Sequence, residues 1–477
     1  LGANPSEAHP VIAAKMRQAR RKGAGLIVAD PRKTELAAMA DVWLQLKPGS
    51  DVALLNGLMH IILRDGLQDR AFIDHCTSGF DSVAATVANY PPDVVERITG
   101  IDSALLERAA RLYAQAEQAQ IFYTLGITEH CWGTDNVLSI ANLAMMTGNV
   151  GKPYSGVNPL RGQNNVQGAC DMGALPDVLP GYRKVTDEDE RLRFEQAWQV
   201  SLPSLRGFTI PEMFTAAVNG EIKAIYIVGE NPVLSDANAN HVSHALKSLD
   251  FLVVQDIFLT ETAMLADVVL PAASFAEKNG TFTNTERRIQ LVRKAVEPPG
   301  QSKTDLEIIT ELSCRFGYPM HYAAPQDVMQ EIAALTRIYH GVTYDRLQEH
   351  GLQWPVPSLD HPGTQVLHEN GQFTCGLGWF TPVEYHPPAE GPDADYPFVL
   401  TTGRRLYHYN VSTFGKSAAL SEQLSEELLW IHPADARQLM LIDKQFVNVE
   451  SRRGRIRTRI WITDAMPPGL VWLSFHF

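Results

Sequence analysis

The stretch PLRGQNNVQGACDMGALP, residues 159–176, carries the signal that decides the fold. It lies in a longer segment, 148–180, with six glycines, four prolines and six asparagines or glutamines against four charged residues. A long polar loop inside a compact protein is uncommon and usually functional. Arg161 has no acid close in sequence, and its planar fork suits a small carboxylate or a phosphate. From composition alone, a solvated loop with an ordinary surface arginine is an equal alternative.

On both sides of this loop, short apolar strands alternate with helices. Before it we expect helices at 10–22, 52–63, 70–75, 102–116 and 135–146, and strands at 25–29, 42–46 and 121–125. After it we expect strands at 224–228, 251–255 and 267–270, with helices at 237–249 and 261–265. Ser50 or Asp51 is expected to cap the helix 52–63. The alternation predicts an α/β fold with two doubly wound, nucleotide-binding α/β domains.

The C-terminal third has a different pattern. Residues 280–296 are polar and strand-like, 304–316 form a helix, and 351–395 are rich in Pro, Gly and His. From 398 onward short strands at 398–401, 446–450 and 456–461 surround one helix at 434–440, which predicts a small β-barrel. Because 477 residues exceed one hydrophobic core, several domains are expected. We predict 1–163 and 164–275 as the α/β domains, 276–303 as a segment packing on a missing domain, 304–365 as a helical connector and 366–477 as the barrel.

Composition excludes several classes of protein. The formal charge of −13 argues against a nucleic-acid surface, although backbone N–H groups can still bind phosphates. No apolar run approaches about 18 residues, so no membrane insertion is expected. The five cysteines are scattered without a C-x-x-C pair, which argues against a zinc or iron–sulfur site of usual spacing and fits a reducing compartment. Both ends of the sequence read as the interior of a fold, so we expect the natural chain to be longer.

The segment 161–176 resembles the active-site segment of cytosolic-type formate dehydrogenases, in the dimethyl sulfoxide reductase superfamily. The resemblance implies that Arg161 stands over a metal and holds formate, and that Gln163 contacts a pterin. It further implies oxidation of formate to CO2 at molybdenum or tungsten, carried with a terminal sulfur by bis-molybdopterin guanine dinucleotide. That family's 4Fe-4S cluster and its cysteine or selenocysteine metal ligand lie in an N-terminal segment, so no metal ligand is expected within this chain.

Further stretches resemble the cofactor-binding loops of the same family, in the same order. The residues that the resemblance implies for the first nucleotide are Asn4, Asp30, Arg32, Gly49 and Asp51, and those for a pterin-contacting turn are Leu125, Gly126 and Glu129. Glu129 could be a protonated contact or part of a proton relay with His130, and a solvent-exposed histidine is an equal alternative. Taken singly, each nucleotide residue could instead belong to a turn or a helix cap.

A second set of residues is implied for the other half of the cofactor. The second nucleotide would be bound by Gly229, Asn231, Ser235, Gln255, Asp256 and Asp305, and a segment covering both pterins would use Arg404, His408 and Tyr409. The chain has no G-x-G-x-x-G fingerprint, so two nucleotide sites fit a bis-dinucleotide better than NAD.

Two alternatives stay open at this point. One is a non-catalytic scaffold or electron-transfer relative of the same fold, and the other is a different oxidoreductase of the superfamily. The expected partners are formate, CO2 and electron-transfer subunits with iron–sulfur or flavin centres, in the cytoplasm. The sequence distinguishes neither molybdenum from tungsten nor cysteine from selenocysteine.

Overall fold

The computed structural model describes residues 1–410, 418–424 and 426–475. They pack as two compact units. The first unit combines 1–160 with the described part of 366–477, and the second is Arg161–Gln365. The finer division into five domains stays a prediction.

The α/β part of the first unit surrounds one central helix. Its helices are Pro5–Ala8, Pro10–Arg21, Glu35–Ala38, Asp51–Arg64, Arg70–Cys76, Phe80–Val87, Pro92–Thr99, Ser103–Ala114, Leu125–Thr128 and Gly133–Met146. Its strands are Ile27–Ala29, Val42–Leu44, Thr77–Ser78, Gln120–Tyr123 and Gly156–Pro159. Helix Asp51–Arg64 is buried along nearly its whole length, as expected of a helix that is apolar on every side. It forms the middle of the main hydrophobic core.

Strand pairing in this part differs from one continuous sheet. Ile27–Ala29 pairs in parallel with Val42–Leu44, and Gln120–Tyr123 pairs in parallel with Gly156–Pro159. Among the described residues these are two separate two-stranded sheets. Ser50 occupies the expected N-cap position of the helix Asp51–Arg64, but its side chain makes no cap hydrogen bond. Ser50 Oγ instead donates to the Lys47 carbonyl at 2.6 Å.

The C-terminal part of the first unit is a curled, five-stranded mixed sheet, a half-barrel. In spatial order its strands are Val399–Gly403, Leu470–Ser474, Leu428–Ile431, Gly454–Ile462 and Phe446–Ser451. The helices in this part are Ala418–Gln423 and Pro433–Gln438, with a 3-10 turn at Glu369–Gly371 and a short strand at Gly378–Trp379. The outer hairpin pairs antiparallel from Phe446 opposite Arg459 to Ser451 opposite Gly454.

The second unit contains a three-stranded parallel sheet. Phe251–Asp256 lies between Ala224–Val228 and Val268–Pro271, all parallel, and Val254 and Leu252 fill the core beneath. The helices of the unit are Val166–Asp171, Glu188–Trp198, Ile210–Val218, Pro232–Ser235, Ala239–Lys247, Asp305–Arg315 and Pro325–Leu335. The expected helix 261–265 is only a 3-10 turn, Ala263–Leu265, and two more such turns lie at Phe275–Glu277 and Arg337–Tyr339.

An antiparallel sheet completes the second unit. It contains Gly280–Thr283, Arg288–Val292 and Leu352–Gln353, while Val178–Leu179 and Arg183–Lys184 form a separate hairpin. The strand-like region 280–296 is therefore a hairpin, and its strand Gly280–Thr283 packs beside helix Val166–Asp171.

Candidate functional site

Three charged side chains lie buried in the first unit near the carboxyl ends of the strands Ile27–Ala29 and Val42–Leu44. Asp30, Arg32 and Asp51 are each exposed by less than a tenth. Asp30 Oδ1 accepts the Arg32 backbone N–H at 2.8 Å and lies 3.9 Å from Arg32 Nε. One carboxylate oxygen of Asp30 thus stabilises a turn, as the alternative interpretation of this residue predicted. The other oxygen lies where a parallel strand ends, which is a common place to hold a ribose or a base. Burial raises the pKa of Asp30, and the Arg32 charge opposes the rise.

Burial also alters the protonation of Asp51. Burial raises the pKa of Asp51 to about 6, and the nearby His130 acts in the opposite direction. His130 Nε2 is 3.0 Å from the Gly126 carbonyl oxygen, which can only accept, so this nitrogen carries the proton. A buried carboxylate with so high a pKa is stabilised by a ligand that donates hydrogen bonds. The N–H groups of a guanine edge are such donors.

Two glycines let the chain cross itself beside this cluster. The Gly126 N–H donates to the Gly2 carbonyl at 3.1 Å, and the Gly2 N–H donates to Ala29. A Cβ on Gly126 would meet the Gly2 backbone at 2.6 Å. The helix Leu125–Thr128, at the start of the predicted pterin-contacting turn 125–130, is therefore fixed against the N-terminal loop by a glycine–glycine contact.

We expect Gly126→Ala to loosen this crossing, because the new Cβ would meet backbone atoms that cannot rotate away. The free energy of unfolding should fall by about 1–3 kcal/mol, and pterin content should fall with it. Gly391→Ala is the matched control, since a Cβ there meets nothing within 4 Å. Thermal unfolding and pterin fluorescence measure the two effects. Equal behaviour of the two variants would contradict the tight crossing.

Glu129, His130 and Arg404 form an electrostatic group in the same unit. Glu129 is solvent-accessible, yet the surrounding protein raises its pKa, and Arg404 and His130 oppose that rise. Burial lowers the pKa of Arg404, while Tyr409 and Glu129 raise it. Both predicted roles of Glu129 stay open.

The segment that includes Arg404 is held by a buried ion pair that sequence reasoning missed. Arg405 lies 2.7 Å from Glu427 Oε1, and both side chains are exposed by a tenth or less. Glu427 also accepts the backbone N–H groups of Leu428 and Ser474. The Arg405 guanidinium lies 5.6 Å from the centre of the Trp472 ring. These contacts anchor the turn after strand Val399–Gly403 to the half-barrel.

A cation–π contact links Trp472 of the half-barrel to Arg32, one of the three buried charged residues described above. The guanidinium of Arg32 lies 5.0 Å from the centre of the Trp472 ring. A Cβ on Gly403 would meet Trp472 Nε1 at 2.9 Å and Arg32 at 3.5 Å. Glycine at 403 is thus required for the close approach of this backbone to Trp472.

Several polar atoms in the first unit are buried without a hydrogen-bond partner among the described residues. They are Asn4 Oδ1, both amide atoms of Asn410, and Trp472 Nε1. Asn410 is 4% exposed with a left-handed φ of +49°. The predicted residue His408 is buried and Tyr409 is exposed. Because buried polar atoms in native proteins are almost always paired, these atoms fit a bound polar cofactor.

The second unit presents its predicted nucleotide residues around the parallel sheet. Gln255 is fully buried and donates to Asp305 Oδ1 at 2.6 Å. Lys278 forms an ion pair with the other oxygen of Asp305, and the Tyr226 hydroxyl donates to Gln255. Lys278 was not identified from the sequence. Since this network already uses Gln255 and Asp305, a nucleotide would contact them by exchanging one of these bonds.

The remaining predicted residues of the second unit differ in whether their polar atoms are available to contact a nucleotide. Asn231 Oδ1 accepts from the Thr262 N–H and hydroxyl, and its amide donates to Glu261 at 2.9 Å. Its side chain therefore mainly fixes the loop. Gly229 has φ +65° with open space where a Cβ would lie. Burial raises the pKa of Asp256, whose Oδ1 accepts the Phe258 N–H at 3.0 Å.

Ser235 lies at the end of the short helix Pro232–Ser235. Its hydroxyl donates to Asp236 Oδ1 at 3.3 Å. Burial raises the pKa of Asp236, and this hydrogen bond opposes the rise. The Ser235 hydroxyl is therefore already used as a donor to the neighbouring carboxylate.

The loop that opened the sequence analysis lies in the second unit. The Arg161 N–H donates to Thr285 Oγ1 at 3.0 Å. The Arg161 side chain is partly buried, which argues against the alternative of a fully solvated surface arginine. Burial raises the pKa of Cys170, and the charge of Arg161 opposes that rise. Gln163 is exposed. The loop thus presents one arginine and several amides on a fixed backbone.

Two features are absent from the residues that the structure describes. No cluster of three His, Cys, Asp or Glu side chains that could hold a metal ion occurs there. None of the helices in the same part of the chain has the length and apolar character needed to cross a membrane.

Comparison with known proteins identifies the family. The Molybdopterin oxidoreductase family matches residues 1–315, and the Molydopterin dinucleotide binding domain matches 398–477. The chain belongs to the molybdopterin oxidoreductase family. The F420-dependent formate dehydrogenase subunit alpha of Methanocaldococcus jannaschii is 48% identical, over all of this chain and 71% of that protein. Formate dehydrogenase H of Escherichia coli is 42% identical, over all of this chain and 68% of that protein.

A solved structure agrees at the level of the fold. Acetylene hydratase from Pelobacter acetylenicus superposes with a TM-score of 0.75 and 22% identity, over 97% of this chain and 68% of that one. The expected fold class, with α/β domains and a C-terminal half-barrel, is confirmed.

Proposed function

We propose that this chain carries the pterin-binding and formate-binding part of a formate dehydrogenase. The reaction is oxidation of formate to CO2 at molybdenum or tungsten held by bis-molybdopterin guanine dinucleotide. The observation that carries the proposal is the 42–48% identity to formate dehydrogenase subunits along the whole chain. The arginine of the 159–176 loop supports it, because a one-carbon carboxylate has almost no apolar surface to bury and must be held by charge.

Arg161 would hold both oxygens of formate in one plane and so fix the direction of its C–H bond. Its backbone bond to Thr285 supports this role, since the guanidinium then extends from a fixed point. The bound metal centre would supply the acceptor for two electrons. Gln163, exposed on the same loop, would donate to a pterin.

The first unit would hold one guanine dinucleotide and the second unit the other. In the first, Asp51 would accept guanine N–H groups, Asp30 and Arg32 would bind ribose or phosphate, and Asn4 would face the pyrophosphate. Support for the guanine contact comes from the raised pKa of Asp51. The buried, unpaired Asn4 oxygen can accept only from a donor such as a ribose hydroxyl, because phosphate oxygens donate no hydrogen bond. In the second, Asp256 and the open backbone at Gly229 would have the corresponding roles.

Two other functions compete with this one. A non-catalytic relative would have lost its polar site residues, whereas Arg161, Asp30 and Asp51 remain in buried or partly buried positions. A different oxidoreductase of the superfamily would share this fold, which is also found at 22% identity in acetylene hydratase, a protein named for a hydration. The proposed partners are electron-transfer subunits with iron–sulfur or flavin centres. Electrons would leave through an iron–sulfur cluster outside this chain, and the proposed location is the cytoplasm.

The test is reduction of an artificial acceptor by formate, using the cofactor-loaded full-length enzyme, with CO2 measured in parallel. One CO2 for each two electrons is the expected result. A metal-loaded enzyme that leaves formate unchanged would exclude formate oxidation and favour another oxidoreductase. An enzyme that folds without binding any pterin would favour the scaffold.

Cofactor content gives a separate prediction. Because each unit carries its own set of nucleotide residues, we expect acid hydrolysis of the loaded enzyme to release about two GMP per metal. Chromatography of the released nucleotide, with metal analysis of the same sample, measures the ratio. A ratio of one, or release of a nicotinamide dinucleotide, would refute the two-nucleotide interpretation.

A further inference from the structure

We infer that Asp171 is a positioning residue for Arg161, acting through a buried hydrogen-bond clamp that includes Tyr339 and Thr283. The inference deepens the proposed function and rests on it, because the purpose of the clamp is to hold the formate-binding arginine. It concerns residues of the second unit alone.

The centre of the clamp is a carboxylate with three donors. Asp171 is fully buried at the end of helix Val166–Asp171. Its Oδ1 accepts from Gln167 Nε2 and from the Tyr182 hydroxyl, each at 2.8 Å. Its Oδ2 accepts from the Tyr339 hydroxyl at 2.7 Å. Three donors on one buried carboxylate are enough to fix the end of the helix in one position.

The clamp continues from the carboxylate to the neighbouring hairpin. Tyr339, 2% exposed, lies 2.8 Å from Thr283 Oγ1. Thr283 ends the strand Gly280–Thr283, and its backbone N–H donates to Asn165 Oδ1 at 2.9 Å. The same hairpin turn contains Thr285, whose hydroxyl accepts the Arg161 N–H. The loop 161–171 is therefore bound to one hairpin at its start, in its middle and, through Tyr339, at its end.

This arrangement matters because formate offers no other means of orientation. A guanidinium orients a carboxylate only if its own backbone is fixed, and a displacement of about 1 Å can cost about 10²-fold in rate. The short segment between Arg161 and Asp171 contains two glycines, Gly162 and Gly168, which alone would leave it loose. Gly168 cannot be enlarged, since a Cβ there would lie 2.3 Å from Asn165 Oδ1. The clamp supplies the rigidity that the glycines remove.

The deciding variant is Tyr339→Phe, which removes one hydroxyl and keeps the ring in the core. It leaves Asp171 Oδ2 and Thr283 Oγ1 without their shared partner. Tyr344→Phe is the matched control, because Tyr344 packs against the same hydrophobic cluster and is not a donor to Asp171. Thr283→Val breaks the same chain from its other end and serves if Tyr339→Phe folds poorly.

Asp171→Asn separates geometry from charge. The amide oxygen can still accept from Gln167 and Tyr182. Its NH2 can donate to the Tyr339 hydroxyl, which then donates to Thr283, since either atom of that pair can be the donor. A positioning role therefore predicts that Asp171→Asn retains most of the wild-type behaviour, while Asp171→Ala does not.

The experiment combines hydrogen exchange with kinetics on the cofactor-loaded full-length enzyme. For Tyr339→Phe we expect exchange of peptides covering 161–173 and 280–286 to accelerate about tenfold, with exchange of Phe251–Asp256 unchanged. Per bound metal, kcat/KM for formate should fall about tenfold, with a lower kcat and a higher KM. Asp171→Asn and Tyr344→Phe should remain within about twofold of wild type.

Faster exchange with unchanged kinetics would show that the clamp only stabilises the fold, and would overturn the inference. Unchanged exchange would also overturn it, because the loop would then be held by other contacts. A wild-type enzyme that does not oxidise formate would refute the proposed function instead, and the exchange results would still show whether the clamp holds the loop.

Discussion

Replacing Arg161 with Lys in the full-length enzyme is expected to lower kcat for formate by about 10²–10³-fold, the usual cost of removing one positioned electrostatic donor. Lysine keeps the charge but loses the planar fork that holds both carboxylate oxygens. The affinity for formate should fall as well. Arg161→Ala should be worse, while metal and pterin content stay near normal.

Steady-state kinetics normalised to bound metal separates three roles of this arginine. If Arg161 only supports the pterin, activity will fall in proportion to cofactor loss. If it is an ordinary surface residue, both variants will oxidise formate at wild-type rates. Arg183→Lys is the control, since Arg183 lies in the same unit with a partly exposed ion pair to Glu190.

Replacing Asp51 with Asn is expected to have opposite effects on the empty and the loaded protein. In the empty protein, burial raises the pKa of Asp51 from 3.8 to about 6. Because the folded pKa lies above the unfolded one, the associated stability is complete below about pH 4 and is lost as pH rises through about 6. The loss reaches at most about 3 kcal/mol near pH 8. Asn stays neutral, so empty Asp51→Asn should be the more stable protein at pH 8.

The loaded protein should behave in the reverse way. A charge-assisted hydrogen bond lost from a guanine edge costs about 1.5–3 kcal/mol, so cofactor retention should fall at least tenfold. Asp93→Asn, at an exposed position, is the control for both measurements. Thermal unfolding from pH 5 to 8 and the nucleotide content after purification test the pair of effects. A variant with normal nucleotide content would contradict the guanine assignment.

How far sequence predicts this fold depends on how local each signal is. The strand Ala224–Val228 was predicted at its observed bounds, because a short apolar run between turn residues indicates a strand from local sequence alone. The helix at 261–265 was wrong in type, because a five-residue pattern cannot separate an α-helix from the 3-10 turn observed at Ala263–Leu265. The pairing of the strands in the first unit as two separate parallel pairs was not predicted, since strand pairing depends on partners that are distant in sequence.

The site residues, too, were identified or missed according to how local their sequence signal is. Arg161 and Asp51 were identified because they lie in motifs of contiguous sequence. Arg405 and Trp472 were missed, as their contact joins positions 67 residues apart. Asp171 lies inside the quoted segment, but its role depends on Tyr339, which is 168 residues away. Only a fold that brings these residues together can reveal such partners.

The central claim is that formate is oxidised with its C–H bond directed by Arg161. The most direct measurement compares turnover of formate and of formate labelled with deuterium at carbon, per bound metal, in wild type and Arg161→Lys. The account predicts that wild type forms CO2 from both substrates and turns over the labelled formate more slowly. It also predicts that kcat of Arg161→Lys is about 10²–10³-fold lower than that of wild type with either substrate. Equal turnover by wild type and variant, or no CO2 from a metal-loaded wild-type enzyme, would contradict it.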